Sequence, residues 1–449
     1  MHWKLSHYLI VSDPIINDRF QILYSTRTAQ RLLLSTTVVE NILKNNLTAV
    51  SEEIIAKLVS FEILVPSEED ELNTVINRNT TAIAQDDTLY YVIQPTAQCQ
   101  LGCNYCGQKH TSTYLQEELD IRILQRIEQK LQNQVYTHLA IGWFGAEPLL
   151  GAKQIERLSA SLYTLAQTYG CTYGAKVVTN GLNLKLPLFR KLLECHIQTI
   201  EITLDGSARF HDQRRHTKSG HSTFDIIFNN LQRVLALEDF ESLGIQINIR
   251  CNVDVNNYEG VPELIELVSS HKLLSRINKF YFAPIHDWGN DAHLLALSKD
   301  EFAKMETGWL IALHQKGFIR NQVPTETHPI VCLSLQREAE VIDAKGNVYN
   351  CTEVPYVPAY ENSEYLIENL TQPDIKAASP RSFSQWNQEI LAGQFPCHGC
   401  KILPICGGAC PKSWHEQVSP CPSIKFNIKD RLVLDAYAAL KKPAAQPVP

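Results

Sequence analysis

Between residues 89 and 284, six strand-like stretches alternate with amphipathic helical ones, and few folds accommodate that order. The stretches at 90–93, 139–141, 175–178, 199–202, 245–249 and 280–282 are rich in β-branched and aromatic residues, as strands require. Between them, Ile121, Leu124, Ile127 and Leu131 recur at helical spacing, as do Ile155, Leu158, Leu162 and Leu165, with Gly170 placed to stop the second helix. Six such repeats predict an α/β fold built on a parallel sheet, either a doubly wound sheet or, the form expected here, a partial (β/α)6 TIM-like barrel. In a barrel, reactive groups collect at the C-terminal ends of the strands.

The flanks read differently. Residues 1–80 suggest a small separate unit, with strands at 8–11, 21–24 and 31–34 and a helix capped by Thr36 or Thr37 that runs to Lys44. A second helix starts at Ser51, followed by Glu52 and Glu53, and runs to Ser60; a strand at 62–65 ends before Pro66. This order resembles a winged helix. The acidic, polar run from Ser67 to Asp87 reads as a linker, with residues 81–87 joining the first domain to a core at 88–285. A helical connector is expected at 286–328 and a cysteine-rich domain of short elements at 329–426. A last helix is expected from Ile428 to Leu440 within residues 427–449, followed by a disordered Pro- and Ala-rich tail.

Bulk properties exclude several classes. The chain has 449 residues, enough for two or three domains, and a net charge of −7, which argues against a general nucleic-acid binder. No apolar run is long enough for a membrane helix. The start, Met1-His2-Trp3-Lys4, lacks the pattern of a signal peptide, so a cytoplasmic protein is expected. Thirteen cysteines, an odd number, suit metal or redox chemistry better than a disulfide scaffold.

Three of them form Cys99-x3-Cys103-x2-Cys106, directly after the first core strand. Three thiolates in eight residues can hold one face of a cuboidal iron–sulfur cluster and leave one iron open. Half of a zinc site, completed by His110, is the competing reading. The cluster resembles the signature of the radical S-adenosylmethionine (SAM) family, and further motifs follow in that family's order. Tyr105 matches the aromatic position flanking the adenine of SAM. Gly145-Ala146-Glu147-Pro148 resembles Gly-Gly-Glu-Pro, whose backbone and carboxylate hold the SAM amino group; Ala146 fits there only with a negative φ. Thr203-Leu204-Asp205-Gly206, with His211, Asp212 and Arg215, resembles the stretch after the family's fourth strand, and by position Thr203 and Arg215 would contact SAM. Arg250 and Asn252, ending the fifth strand, are expected near the SAM carboxylate by barrel logic. The resemblance covers residues 88–285. It implies that SAM binds the open iron and that an electron cleaves SAM to a 5′-deoxyadenosyl radical.

Seven cysteines follow within 90 residues: Cys332, Cys351, Cys397, Cys400, Cys406, Cys410 and Cys421. Their spacing resembles the SPASM domain of radical SAM enzymes. The resemblance implies one auxiliary [4Fe-4S] cluster on Cys397, Cys400, Cys406 and Cys421 and another on Cys332, Cys351 and Cys410, so three [4Fe-4S] clusters in all. A zinc ribbon of Cys397, Cys400, Cys406 and Cys410 is the alternative. The sulfatase-maturase branch carries an eighth cysteine, absent here between Cys332 and Cys351; the iron left open would take a substrate thiolate or an unidentified ligand. Cys171, Cys195 and Cys251 read as core packing.

Two features bear on substrate. The N-terminal order of strands and helices resembles the peptide-recognition element of enzymes that mature ribosomally made peptides, which adds a leader peptide to a sheet edge. Residues 1–80 hold seven Lys and Arg against ten Asp and Glu, which disfavours DNA. Sulfatase maturases have a catalytic aspartate directly after the cysteine matching Cys351. Here Thr352 stands there and Glu353 follows one place late, so Glu353 is the candidate base and formylglycine formation is disfavoured. The function expected is a radical SAM maturase that installs a thioether or carbon–carbon crosslink in a precursor peptide. It would be served by a flavodoxin- or ferredoxin-type electron donor, with no nucleic acid or membrane partner. Peptide epimerisation, sulfatase-maturase-like oxidation and a non-enzymatic iron–sulfur sensor are the alternatives. His286 and His293, after the last strand, read as loop histidines more readily than catalytic ones.

Overall fold

A computed structural model describes residues 2–287, 289–361, 363–376 and 383–441; the tail expected to be disordered lies, from residue 442, outside the described residues. The chain forms two compact units, one of Met1–Gln85, Lys299–Leu335 and Phe383–Pro449, the other of Asp86–Ser298 and Gln336–Ser382. Among the described residues, no helix is long and apolar enough to cross a membrane.

In the first unit, β2 (Leu9–Val11), β3 (Phe20–Ser25) and β4 (Gln30–Ser35) form an antiparallel sheet in that order. A strand not foreseen, β1 (Trp3–Leu5), pairs antiparallel with β5 (Leu64–Pro66). The first helix, Thr36–Leu43, is capped one residue earlier than expected: the Ser35 side chain accepts from the Val38 N–H. Ser51 caps Glu52–Ser60 as read, with Glu52 and Glu53 in the first turn, where the helix dipole favours acids.

The run at 67–87 is not a plain linker. Asp70 accepts from the Asn73 N–H and starts a helix, Glu71–Ala84, that buries Val75, Ile76 and Asn79. Nor do the first eighty residues stand alone. Ile15, Ile22 and Tyr24 share a hydrophobic core with Val323, Ile402, Ile405, Ile428 and Leu432 of the same unit. The last element, Ile424–Lys441, breaks at Asn427 (φ −120°, ψ 18°), so its long continuous part starts at Ile428, as expected, after a short preceding turn.

The second unit carries all six expected core strands: β6 (Thr88–Ile93), β7 (His138–Trp143), β8 (Thr172–Thr179), β9 (Ile197–Thr203), β10 (Gln246–Val253) and β11 (Lys279–Pro284). They run parallel in sequential spatial order, as in a partial barrel; a doubly wound sheet would reverse its order at a central strand. On the far side of β6 the sheet continues through β12 (Glu340–Ile342), parallel to β6, then antiparallel through β13 (Asn347–Tyr349), β14 (Leu366–Asn369) and β15 (Gln372–Lys376).

Helices cover the sheet between strands. In Glu117–Asn133 the buried face is Leu119, Ile123, Ile127 and Leu131, while Ile121, expected inside, is exposed. Both sets keep helical spacing, and contact with the sheet decides between them. Ala152–Thr168 buries Ile155, Leu158 and Leu162, and Gly170 follows it at φ 70° as the expected stop.

Candidate functional site

The loop after β6 turns back over the C-terminal ends of the parallel strands. Three backbone hydrogen bonds strap it to the segment after β9: Gly102 N–H to His216 C=O at 3.0 Å, Asn104 N–H to Arg214 C=O at 3.0 Å, and Lys218 N–H to Gln100 C=O at 3.0 Å. The loop therefore presents Cys99, Cys103 and Cys106 to one cavity. That cavity is also lined by Tyr105, Gly145, Ala146, Glu147, Thr203, Arg215, Arg250, Asn252 and Glu353. Every SAM-contact candidate and the candidate base thus face the same space as the three thiols.

All three cysteines are free thiols. Burial pushes the Cys99 thiol up to about 12 and that of Cys103 up to about 11, and raises Cys106 as well. Thiols of this kind bind metal with loss of their protons, so loading releases acid. Among the described residues, no three His, Cys, Asp or Glu side chains are drawn together as ligands of a single metal ion. Cys99, Cys103 and Cys106 nonetheless line one cavity together. His110, which would complete a zinc site, has Nε2 3.9 Å from Cys106 Sγ and is driven down to about 4 by burial and then by Lys218.

Glu147 is buried at the end of β7. Its Oε1 accepts from the Leu149 N–H at 3.0 Å and the Thr179 hydroxyl at 2.6 Å, and its Oε2 from the Asn180 N–H at 2.7 Å. The carboxylate thus fastens the turn after β7 to the end of β8, and its protein partners leave little of it for a ligand. Gly145 has φ 98°, and a Cβ there would come within 2.8 Å of the Gln94 side chain, so glycine is required on both counts. Ala146 has a negative φ, the condition set for alanine in this motif.

Tyr105 is the hub of a second network. Its hydroxyl donates to Asp205 Oδ2 at 2.6 Å and accepts from Arg215 Nη1 at 2.6 Å and Asn252 Nδ2 at 3.0 Å. Asp205 Oδ1 accepts from the Asn252 N–H at 2.8 Å, and Arg250 Nε donates to Asn252 Oδ1 at 2.8 Å. The ends of β9 and β10 are thereby tied to the residue before Cys106. His211 and Asp212 support this from behind. His211 Nδ1 accepts from the Asp205 N–H at 3.1 Å, and burial followed by the nearby Arg215 lowers its pKa to about 4, so the ring is neutral. Asp212 Oδ1 accepts from the Thr223 and Phe224 N–H groups and starts the helix Phe224–Leu235.

Tyr105→Phe is expected to leave a buried carboxylate and guanidinium short of a partner and to cost about 1–3 kcal/mol. A lower urea midpoint would register it; an unchanged midpoint would mean that the hub does not hold the loop.

Sequence reading missed three residues here. Arg214 is buried, with Nη1 2.5 Å from Asp254 Oδ1, Nε 3.7 Å from Asp205 Oδ2, and its guanidinium 5.0 Å from the centre of the Tyr105 ring. Thr179 and Asn180 line the cavity, and Asn180 Nδ2 lies 3.9 Å from Cys99 Sγ. The signal for that pair was present: Asn180-Gly181 is a turn dipeptide closing a strand, and Gly181 has φ 82°.

Glu353 lies on the cavity wall, with Oε1 accepting from the Thr352 hydroxyl at 3.1 Å and its charge facing Arg250. Residues 352–356 form turns and a bend, so strand alternation does not set the direction of the Glu353 side chain. His286 is not among the residues lining the cavity, and His293 bonds within its loop, to Asp287 and the Asn290 carbonyl. Cys171, Cys195 and Cys251 are buried away from it, as core residues.

In the other unit, Cys397, Cys400, Cys406 and Cys421 line one small hollow, and Cys410 is not among its lining residues. That grouping separates the set expected for one cluster from the zinc-ribbon set. Burial pushes Cys397 up to about 12 and Cys406 up to about 11. Cys332 and Cys410 lie within electrostatic reach of each other in this unit, and Cys351 belongs to the unit of the parallel strands, just after β13.

Comparison with known proteins gives three findings. Residues 93–267 match the model of the radical SAM superfamily. The chain is 22% identical over 356 residues to the serine-type anaerobic sulfatase-maturating enzyme of Bacteroides thetaiotaomicron, spanning 72% of this chain and 83% of that protein. Among solved structures, native anSMEcpe with bound AdoMet and Cp18Cys peptide has a TM-score of 0.56 at 17% identity, over 79% of this chain and 98% of that one; at this identity the likeness is one of fold.

Proposed function

From the premise that this chain carries a radical SAM domain and is a SAM-dependent enzyme of that superfamily, we propose that it modifies a residue of a ribosomally made precursor peptide. The observation that carries the reading is the single cavity that gathers three thiols, the Gly-Ala-Glu-Pro turn and the ends of β9 and β10. When bound there, a [4Fe-4S] cluster supplies the electron that splits SAM and so the radical that takes a hydrogen atom from the substrate.

The residues divide that work. Cys99, Cys103 and Cys106 would hold three irons and leave the fourth to SAM. Backbone groups of Gly145 and Ala146 would meet the SAM amino group, since Glu147 is engaged with its own chain. Thr203, Arg215, Arg250 and Asn252 would receive the ribose and carboxylate. Tyr105, bound up in its network, would fix the loop and offer its ring edge to the base. Auxiliary clusters on Cys397, Cys400, Cys406 and Cys421, and on Cys332, Cys351 and Cys410, would bring the total to three, fed by a flavodoxin- or ferredoxin-type donor.

The substrate reading rests on the first unit. In its three-stranded sheet β2 and β4 are the edge strands among the described residues, and an open edge can take a peptide as an added strand. The relative from Bacteroides thetaiotaomicron acts, by its name, on a sulfatase, and the solved structure holds a peptide, both in keeping with a polypeptide substrate. The outcome proposed is a thioether or carbon–carbon crosslink: the substrate loses one hydrogen atom to the radical, then a proton and an electron as the new bond closes, and an auxiliary cluster held by Cys397, Cys400, Cys406 and Cys421 would supply the acceptor for that electron. The position of Glu353 on the cavity wall favours a second reading, an oxidation of the sulfatase-maturase type with Glu353 as base.

Co-expression with short peptides encoded beside its gene, followed by mass spectrometry, tests this. A crosslink removes a pair of hydrogens and joins two side chains in fragmentation spectra. Formylglycine gives an aldehyde that reacts with hydrazines, and epimerisation in D2O leaves one deuterium. A purified, reduced enzyme that cleaves SAM yet leaves every such peptide unchanged would sink the peptide reading.

A further inference from the structure

We infer that Lys425 raises the reduction potential of the cluster assigned to Cys397, Cys400, Cys406 and Cys421, through a hydrogen bond from its ammonium group to one thiolate. The inference rests on the reading of those cysteines as cluster ligands. Lys425 stands in the short turn that opens the element Ile424–Lys441, with Nζ 3.4 Å from Cys421 Sγ. Its N–H donates to the Pro422 carbonyl at 3.0 Å, which fixes the turn that brings lysine and cysteine together. Among the described residues lining the hollow it is the one charged side chain, set among Ile402, Leu403 and Trp414. Lys299, at the start of the helix Lys299–Gln315, also lies within electrostatic reach of Cys421.

Reduction adds one negative charge to a cluster already negative overall. A cation bonded to a ligand sulfur stabilises the reduced form more than the oxidised one; Lys425 is itself exposed, so water screens part of its charge and the 3.4 Å hydrogen bond to Cys421 carries most of the bias. The backbone amides of Gly408 and Ala409 bond Cys406 and act in the same direction, but they are present whatever residue 425 is. Lys425 is therefore the removable part of the bias. The consequence is that an electron left inside the protein settles at this cluster in preference to one with no cation at its ligands.

The test uses full-length protein with Cys99, Cys103 and Cys106 replaced by alanine, which silences the first cluster, and follows the remaining signals by EPR during redox titration. Lys425→Gln is expected to shift the oxidised-to-reduced ratio at fixed potential about threefold toward oxidised, equal to about 28 mV for a one-electron couple. Lys425→Arg should restore most of the shift, and the other auxiliary signal should not move. An unchanged potential in K425Q with iron content unchanged overturns the inference and leaves the cluster assignment standing. Loss of the cluster in both K425Q and K425R overturns it in favour of a structural role. Absence of any cluster signal that depends on Cys397, Cys400, Cys406 and Cys421 overturns the assignment beneath it.

Discussion

Replacing Cys99, Cys103 and Cys106 with alanine is expected to abolish 5′-deoxyadenosine formation and to take anaerobically loaded protein from about twelve irons per chain to about eight. The division follows from the molecule. The three cysteines line a cavity in one compact unit, and the four-cysteine hollow lies in the other, so loss of the first donor set leaves the second intact. The loop itself should survive the change, because its straps to His216, Arg214 and Lys218 use backbone groups. Iron and sulfide analysis with chromatography of the nucleoside reads both quantities. Zinc at these positions in anaerobically prepared protein, or loss of all iron in the variant, would defeat the assignment.

Arg126→Met is expected to destabilise the protein by about 3–5 kcal/mol at neutral pH, read as a lower urea midpoint. Arg126 Nε and Nη2 hold both oxygens of Glu340, at 2.6 and 2.9 Å, and Nη1 reaches Glu368 at 3.0 Å. Lys130 adds a contact to Glu340 at 2.8 Å. Glu340 is buried on β12, and the variant leaves its charge with only part of this support. Burial alone would raise its carboxyl, but the bonds and charges of Arg126 and Lys130 win and hold it at about 2.

The pH dependence follows from that direction. A carboxylate with a depressed pKa in the folded state contributes stability above the unfolded value, roughly 4.3. The contribution is lost as pH falls from there through about 2. In Arg126→Met this acid-side loss should flatten, since the pairing that depressed Glu340 is gone. Removing both Arg126 and Glu340, in Arg126→Met with Glu340→Met, should cost less than Arg126→Met alone, because the buried carboxylate is gone and Lys130 keeps its bond to the Glu338 carbonyl. If the double variant were the less stable, the pair would be more than an exchange of one buried contact for another.

Much of the core was legible because its signals are local and redundant. Each of the six parallel strands is a short apolar run, and most candidate residues of the cavity sit at the end of one of them or in the loop that follows it. What sequence missed has physical causes. The helix Glu71–Ala84 was hidden by its polar composition, although Leu72, Val75, Ile76 and Ile83 keep helical spacing; composition was weighed above period. Ile121 and Leu119 fit the same spacing equally well, and only the sheet beneath decides which is covered. Arg214 was passed over because the motif singles out Arg215 by position, and the stacking of Arg214 on the Tyr105 ring is visible only in the fold. Glu353 was kept as the candidate base, but formylglycine formation was disfavoured by a rule for strands that does not govern a turn.

The position of β6 bears on how the protein is made. This strand carries the cysteine loop at its end, and its two sheet neighbours are β7, encoded at once, and β12, encoded some 250 residues later, as its Ile93–Ile342 pairing records. In any nascent chain shorter than residue 340, β6 is therefore an exposed border of the sheet, with amides bare to solvent and to other chains. Iron inserted before β12 has been made would meet an unfinished platform, so cluster loading should wait for that strand. Truncation before Glu340 should yield aggregates rather than a smaller working core.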